Sequence, residues 1–279
     1  MDKILDGRAL AQEIQNKLAQ EIRAKKIHPG LAVILVGDDS ASHLYVSKKK
    51  KAAQEVGIDF HLYLLAADTI QEKIIEAIEF LNQDEKIDAI LVQLPLPGGL
   101  DTSTVIKAID PKKDVDGFHP KNIKDFLSDK ALITPGLALG ILRLLEKSKE
   151  NLANKKATIV SKSEIFVQPM KKILSDRQMS VVISKPDSSD LKNACQDADV
   201  LIVSCGQPFF IKADMVKNDA IIIDVGTNKI DNDYVVGDVD YSAVFDKVKF
   251  ITPVPGGVGP MTVAMLLYNT LKLAESKKN

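Results

Sequence analysis

Apolar and polar positions along the chain switch between a helical period and a strand period. Between residues 7 and 25, Ala9, Leu10, Ile14, Leu18 and Ile22 recur at helical spacing and mark one face. His28-Pro29-Gly30 ends that pattern. Leu31-Ala32-Val33-Ile34-Leu35-Val36 is an unbroken apolar run, as expected of a parallel strand covered on both faces. The turn Gly37-Asp38-Asp39 leads into a helix, read from Ser42 through Ala53 to Val56, and Gly57 stops it. Phe60 to Leu65 reads as a second strand, Ile70 to Leu81 as a second helix, and Asp88 to Gln93 as a third strand. Leu94-Pro95-Leu96-Pro97-Gly98-Gly99 follows as a stiff loop, since proline cannot continue a ladder.

Asp110 to Pro120 is too punctuated for either period and reads as an ordered loop, a usual home of site residues; a polar linker would look the same. Thr134-Pro135 predicts a helix start, threonine as N-cap and proline at the first helical position, running to about Leu145. Lys149 to Lys155 is a polar turn. A second αβ series has strands at 157–160, 180–183, 200–203, 220–224 and 249–251, in the manner of a mononucleotide-binding sheet. The chain closes with Thr252 to Thr262, a helix to about Ala274, and Lys277-Lys278 as a frayed tail. The expected class is α/β. In parallel sheets ligands sit beyond the carboxyl ends of the strands. In the first half these ends are Gly37, Ala66 and Gln93, so the helix after Gly37 and Gln93 should share one crevice.

Composition narrows this picture without redirecting it. The chain has 279 residues, room for two modest domains or one large one. A net charge of -1 gives no bulk attraction to nucleic acid. The N-terminus has no apolar core of the signal-peptide kind, and no apolar run approaches the ~20 residues of a membrane span. Cys195 and Cys205 match no metal spacing, which suits a reducing, cytoplasmic setting. His28, His43, His61 and His119 form no ligand pair, so no protein-bound metal is expected.

Tyr45 and Lys49 are four residues apart and project from one helix face. A phenol beside an ammonium suits a flat, partly aromatic ligand that must lose a proton. The ring offers a stacking surface, and the amine is a donor or, with its pKa lowered, a base. The same letters, within Lys48 to Lys51, also describe a solvated helix face with Tyr45 as rim packing.

Five stretches lie in register along the chain: Tyr45-Val46-x-x-Lys49; Val92-Gln93-Leu94-Pro95-Leu96-Pro97; Lys113-Asp114-Val115-Asp116-Gly117-Phe118-His119-Pro120; Ile223-Asp224-Val225-Gly226-x-Asn228; and Pro253 through Thr262. Together, over nearly the whole chain, they resemble the bifunctional methylenetetrahydrofolate dehydrogenase/methenyltetrahydrofolate cyclohydrolase family. The resemblance implies two α/β domains with a cleft between them. One is a catalytic folate-binding domain, residues 1–118 completed by a C-terminal helix, 259–279; the other is a Rossmann-like NADP domain, 134–258. It implies tetrahydrofolate substrates, a homodimer, NADP-dependent oxidation of 5,10-methylenetetrahydrofolate, and hydrolysis of the product to 10-formyltetrahydrofolate.

By the same resemblance Lys49 is the catalytic lysine, Tyr45 stacks on the folate, Gln93 holds and tunes Lys49, and Asp116 grips the pterin. Leu94, Pro255, Gly256 and Gly257 join the substrate site, the last three in a loop, 255–259, that closes over the folate. Ser161, Lys162, Ser163, Ser184 and Thr227 fall on the cofactor side. These residue types suit the chemistry. A lysine of lowered pKa can move protons at neutral pH, a neutral amide orients it without adding charge, and a carboxylate accepts from adjacent ring donors.

The second half departs from the family pattern. Its phosphate loop, Gly-Arg-Ser-x-x-Val-Gly-x-Pro, is here Ser161-Lys162-Ser163-Glu164-Ile165-Phe166-Val167-Gln168-Pro169. Both glycines are gone, and a β-branched Val167 is expected to be poor at φ > 0 and to occupy the cofactor's approach. Lys162 keeps the arginine's charge without its fork. Pro-Cys-Thr-Pro-x-Gly appears as Leu132-Ile133-Thr134-Pro135-Gly136-Leu137, and Lys124 replaces a glycine. The second strand ends Ile183-Ser184-Lys185-Pro186, without the acid that would favour NAD, so NADP is expected, with NAD left open. Two alternatives stand beside the bifunctional enzyme. One is a cyclohydrolase with a weak or lost dehydrogenase step; the other is a non-catalytic folate-binding protein.

Overall fold

The structure, a computed structural model, describes residues 3–230 and 234–277. The chain divides into two compact units, Gln12–Gly136 with Val263–Asn279, and Met1–Ala11 with Leu137–Thr262. The N-terminal segment thus belongs with the second αβ series, although it precedes the first in sequence.

The first unit is built on a three-stranded parallel sheet of order β2-β1-β3, with β1 at Gly30–Val36, β2 at Asp59–Leu65 and β3 at Ala89–Val92. Strand β1 is buried along its whole length, and its side chains divide by parity. Leu31, Val33 and Leu35 join the layer of α1 (Gly7–Lys25), α2 (Ser40–Val56) and α10 (Val258–Ser276). Ala32, Ile34 and Val36 face α3 (Gln71–Gln83) and α4 (Thr102–Ala108). Asp39 caps α2, its carboxylate accepting from Ser42 N at 2.7 Å, and Gly57 ends it at φ 89, where a Cβ would be strained.

Two short helices escape the sequence pattern, α4 and α5 (Pro120–Leu127). Helix α4 is rich in β-branched residues and rests on the cap Asp101, which accepts from Ser103 N at 2.9 Å. Helix α5 starts from an unusual cap, His119, whose Nδ1 accepts from Lys121 N at 3.1 Å. The helix expected from Thr134-Pro135 begins one residue later, as α6 (Gly136–Lys147). Lys277 is no frayed end: its ammonium donates to the Ile87 carbonyl at 2.9 Å and pairs with Asp88 at 2.7 Å. Lys278 lies outside the described residues.

The second unit carries a five-stranded parallel sheet of order β10-β7-β6-β4-β5. Its strands are β4 (Lys156–Ser161), β5 (Ser180–Ser184), β6 (Val200–Ser204), β7 (Ile221–Asp224) and β10 (Phe250–Ile251). The order reverses on the two sides of β4, the arrangement of a doubly wound nucleotide-binding sheet. Helices α7 (Glu164–Asp176), α8 (Leu191–Gln196) and α9 (Tyr241–Val244) connect the strands, and a small hairpin pairs β8 (Asn228–Lys229) with β9 (Val235–Val236). Among the described residues no helix is long and apolar enough to cross a membrane.

Candidate active site

In the first unit the lysine and glutamine named from sequence meet at the carboxyl end of the sheet. Lys49 projects from α2, and its Nζ donates to Gln93 Oε1 at 2.7 Å. Gln93 sits just past β3, and its own Nε2 donates to the Leu94 carbonyl at 2.7 Å. That second bond fixes which end of the amide faces the amine. The Leu94–Pro95 bond is cis. Burial lowers the Lys49 pKa, and nearby Asp116 opposes this. Burial pushes Asp116 up to about 6, with Lys49 pulling the other way. Each group therefore holds its charge less firmly than in water, and each is the other's nearest compensation.

Asp116 reaches this place because the loop from Asp110 to Pro120 lies along the edge of β3. Ile90 N donates to the Lys113 carbonyl at 2.7 Å, and Ile90 and Asp114 form an isolated parallel bridge. Asp114 staples the turn, accepting from His119 N at 2.7 Å and Asn122 Nδ2 at 2.9 Å. Gly117 turns at φ 72, where a Cβ would also press to 3.3 Å from Pro135. From α10, the fully buried Asn269 donates to the Val115 carbonyl at 3.0 Å and the Thr134 carbonyl at 2.9 Å, while its Oδ1 has no partner. Asn269 was not legible as a site residue. Tyr45 stands half-buried one turn before Lys49, with Lys48 Nζ 5.7 Å from its ring centre.

Pro255, Gly256 and Gly257 belong to the second unit. The Val254–Pro255 bond is cis, and Gly256 turns at φ 119. The expected loop 255–259 is shorter than the sequence suggests, because Val258 and Gly259 already form the first turn of α10. Gly257 is held so closely that a Cβ would lie 2.6 Å from that of Thr252.

The cofactor-side residues cluster at the carboxyl ends of β4 to β7. Ser161 and Ser184 are buried, and Ser161 Oγ accepts from Ser163 N at 3.1 Å. Their hydroxyls serve the loops rather than the surface. Lys162, Ser163 and Thr227 are exposed. Ser163 precedes α7 without capping it through its side chain, so that helix start offers unpaired N–H groups. The clash foreseen at Val167 does not arise. Val167 is a helical residue of α7, its N–H donating to the Ser163 carbonyl at 2.9 Å, and its side chain is buried in the unit. Pro169 likewise lies inside α7 rather than in a loop.

Behind this surface, the fully buried Asp238 binds two loops together. Its carboxylate accepts from the N–H groups of Cys205 at 2.5 Å, Gly206 at 3.1 Å and Gln207 at 2.9 Å, and from Asn228 Nδ2 at 2.9 Å. Gly206 turns at φ 67 with open space where a Cβ would stand. An exposed cation, a free helix start and an open glycine fit a dinucleotide with its phosphates at α7. Among the described residues no group of three or more His, Cys, Asp or Glu could hold a metal ion.

Comparison with known proteins agrees with both halves. The model of the tetrahydrofolate dehydrogenase/cyclohydrolase catalytic domain matches residues 5–116, and that of the NAD(P)-binding domain matches residues 135–278. The bifunctional protein FolD of Halothermothrix orenii is 45% identical over 280 residues, covering 98% of each chain. That of Campylobacter concisus is 42% identical over 278 residues, covering 99% of this chain and 98% of the relative. The crystal structure of the bifunctional FolD enzyme from Campylobacter jejuni superposes with a TM-score of 0.93 at 40% identity, over 98% of this chain and 99% of that one. The Trypanosoma brucei enzyme, complexed with NADP cofactor and inhibitor, gives 0.94 at 32% identity, over 99% and 98%. A fold that matches from end to end, and sequence models that match both halves, place this chain in the tetrahydrofolate dehydrogenase/cyclohydrolase family.

Proposed function

We propose that this chain oxidises 5,10-methylenetetrahydrofolate with NADP and hydrolyses the resulting methenyl cation to 10-formyltetrahydrofolate, with Lys49 moving the protons. The observation that carries the reading is a half-buried amine of lowered pKa held 2.7 Å from an amide whose orientation is itself fixed. A folate-binding protein without turnover has no use for so costly a lysine.

NADP, when bound, accepts the hydride of the one-carbon unit. Tyr45 supplies the flat face against which the folate stacks. Asp116, ionised above its pKa of about 6, accepts from the pterin's adjacent N–H and amino donors. In hydrolysis a water adds its oxygen to the methenyl carbon, and neutral Lys49 takes the proton released. The bond from that carbon to N5 then breaks as the Lys49 ammonium returns the proton to N5. The new hydroxyl closes to the carbonyl and gives its own proton to solvent, which balances the charge of the starting cation and leaves the formyl group on N10. Gln93 keeps the amine aimed through both steps and adds no charge that would hold it protonated. Leu94 shapes the floor of the site, and Pro255, Gly256 and Gly257 are assigned to the substrate by the resemblance of their motif alone. Lys162, Ser163 and Thr227 contact the cofactor, with Ser161 and Ser184 shaping the loops that present them.

In this reading residues 1–118 with 259–279 serve the folate and 134–258 serve the dinucleotide. A homodimer suits β5, an edge strand that exposes Val182 and Ile183. A cytoplasmic setting suits the free thiols of Cys195 and Cys205. The test assays the two half-reactions separately on Lys49→Met. Hydrolysis of methenyltetrahydrofolate should be lost while folate binding stays measurable by titration; unchanged turnover would refute the assignment of Lys49.

A further inference from the structure

The sequence shows no acid at the end of β5, yet the fold supplies one from just beyond it. Strands β4 and β5 run parallel through the pair Val160 and Ser184, so the segments that follow leave the sheet side by side. The chain after β5 makes a turn closed by Ser188 N donating to the Lys185 carbonyl at 3.0 Å, over a buried Pro186. That turn aims Asp187 back at the phosphate loop, where its Oδ2 lies 3.2 Å from Lys162 Nζ. Both side chains are more than half exposed, at 60% and 67%.

We infer that the Asp187 carboxylate, placed beside Lys162 at the phosphate loop, sets the discrimination between NADP and NAD in this chain. The inference rests on the dinucleotide reading given above. In a doubly wound sheet the loop after the first strand meets the pyrophosphate, and an acid past the second strand accepts from the adenosine ribose hydroxyls. Asp187 occupies that second position and can accept from a ribose diol. A 2′-phosphate brings nearly two negative charges to the same place. It must draw Lys162 away from Asp187 and then stand beside the freed carboxylate. The first demand is small, because an exposed ion pair contributes little. The second is repulsive and worth about tenfold in affinity at the water-like dielectric that suits two such exposed groups and ~5 Å separation. Lys185, also exposed, is the nearest further cation in sequence and offsets part of this. The result is a chain that accepts NADP but prefers it less than its lysines alone would dictate.

The test is calorimetric titration of the full chain with NADP and with NAD, for the wild type, Asp187→Asn and Lys162→Met. Thermal melting confirms that each variant is folded. Asp187→Asn should raise the NADP-to-NAD affinity ratio about tenfold, Lys162→Met should lower it, and added salt should shrink both changes. A wild type that binds NAD or NADP with a ratio insensitive to Asp187→Asn overturns the inference and leaves the enzyme assignment standing. Equal weakening toward both cofactors means a merely structural ion pair and also overturns it. A wild type that binds neither dinucleotide removes both the inference and the dehydrogenase reading.

Discussion

Replacing Gln93 with glutamate tests the role of the amide most directly, because it changes charge while nearly preserving shape. In the wild type a neutral oxygen lies 2.7 Å from Lys49 Nζ. A carboxylate at that distance attracts an ammonium by about 6 kcal/mol at an effective dielectric near 20. Taken alone, that would raise the amine's pKa by about four pH units. Part is lost again, since the new carboxylate must leave water and its second oxygen faces the Leu94 carbonyl, which now accepts from Gln93 Nε2 at 2.7 Å. Retaining half of the gross effect gives a rise of about two pH units and about 100-fold less neutral amine at pH 7. The sign is fixed: a raised amine pKa means that more alkaline solution is needed to free the base. Decay of methenyltetrahydrofolate absorbance, corrected for the uncatalysed reaction, should therefore show Gln93→Glu down about 100-fold at neutral pH. It should then recover as pH rises, its profile displaced about two pH units to the alkaline side of the wild type's. In the same series the wild-type KM for folate should rise as pH falls through about 6, where Asp116 gains its proton. Superimposable pH–rate profiles for wild type and variant would refute the argument that a neutral partner keeps Lys49 a base.

Two further substitutions separate contact from support. Tyr45→Phe should leave the KM for folate within about twofold, while Tyr45→Ala should raise it about tenfold or more, as loss of a stacking face worth roughly 1–3 kcal/mol requires; equal effects from both would show that the ring does not stack. Asn269→Leu keeps the volume but strands the buried carbonyls of Val115 and Thr134, which should cost about 2–5 kcal/mol, read as a lower urea midpoint. Because Val115 adjoins Asp116, the same variant should also raise the KM for folate, and a lower midpoint with an unchanged KM would assign Asn269 to stability alone.

What the sequence made legible, and what it hid, follows the range of the interactions involved. Strands β1 and β3 announce themselves as apolar runs, whereas α2 starts at Ser40, two residues before the start read from sequence, because Asp39 in the preceding turn caps it. Asp116 is harder: its loop is laid against β3 by long-range backbone pairing, such as the bond from Ile90 N to the Lys113 carbonyl, 23 residues away. Helix α4 was hidden because Thr102, Thr104, Val105 and Ile106 are β-branched and weak helix formers, so its cap and its burial against α3 decide the matter. Val167 misled because the glycine pattern reads as a tight loop, whereas α7 already runs from Glu164 and buries the side chain. Asp187 was hidden because it lies three residues past β5, and only the turn over Pro186 returns it to Lys162.

Lys49 occupies an instructive middle ground. The chain writes four lysines in succession, Lys48 to Lys51, and the residue types alone do not distinguish them. Helix phase does. Ser42, Val46, Ala53 and Val56 are buried along α2, and Lys49 falls between Val46 and Ala53 at the same spacing, four, three, four and three residues apart. Its three lysine neighbours point to solvent. A lysine in an apolar stripe must either be desolvated or snorkel out, and here it is desolvated and met by Gln93 from the end of β3. The burial that lowers its pKa is thus set by the register of one helix against one sheet. A substitution that rotated α2, such as a bulky residue at Ala53, would return the amine to water and raise its pKa without touching any group in contact with substrate.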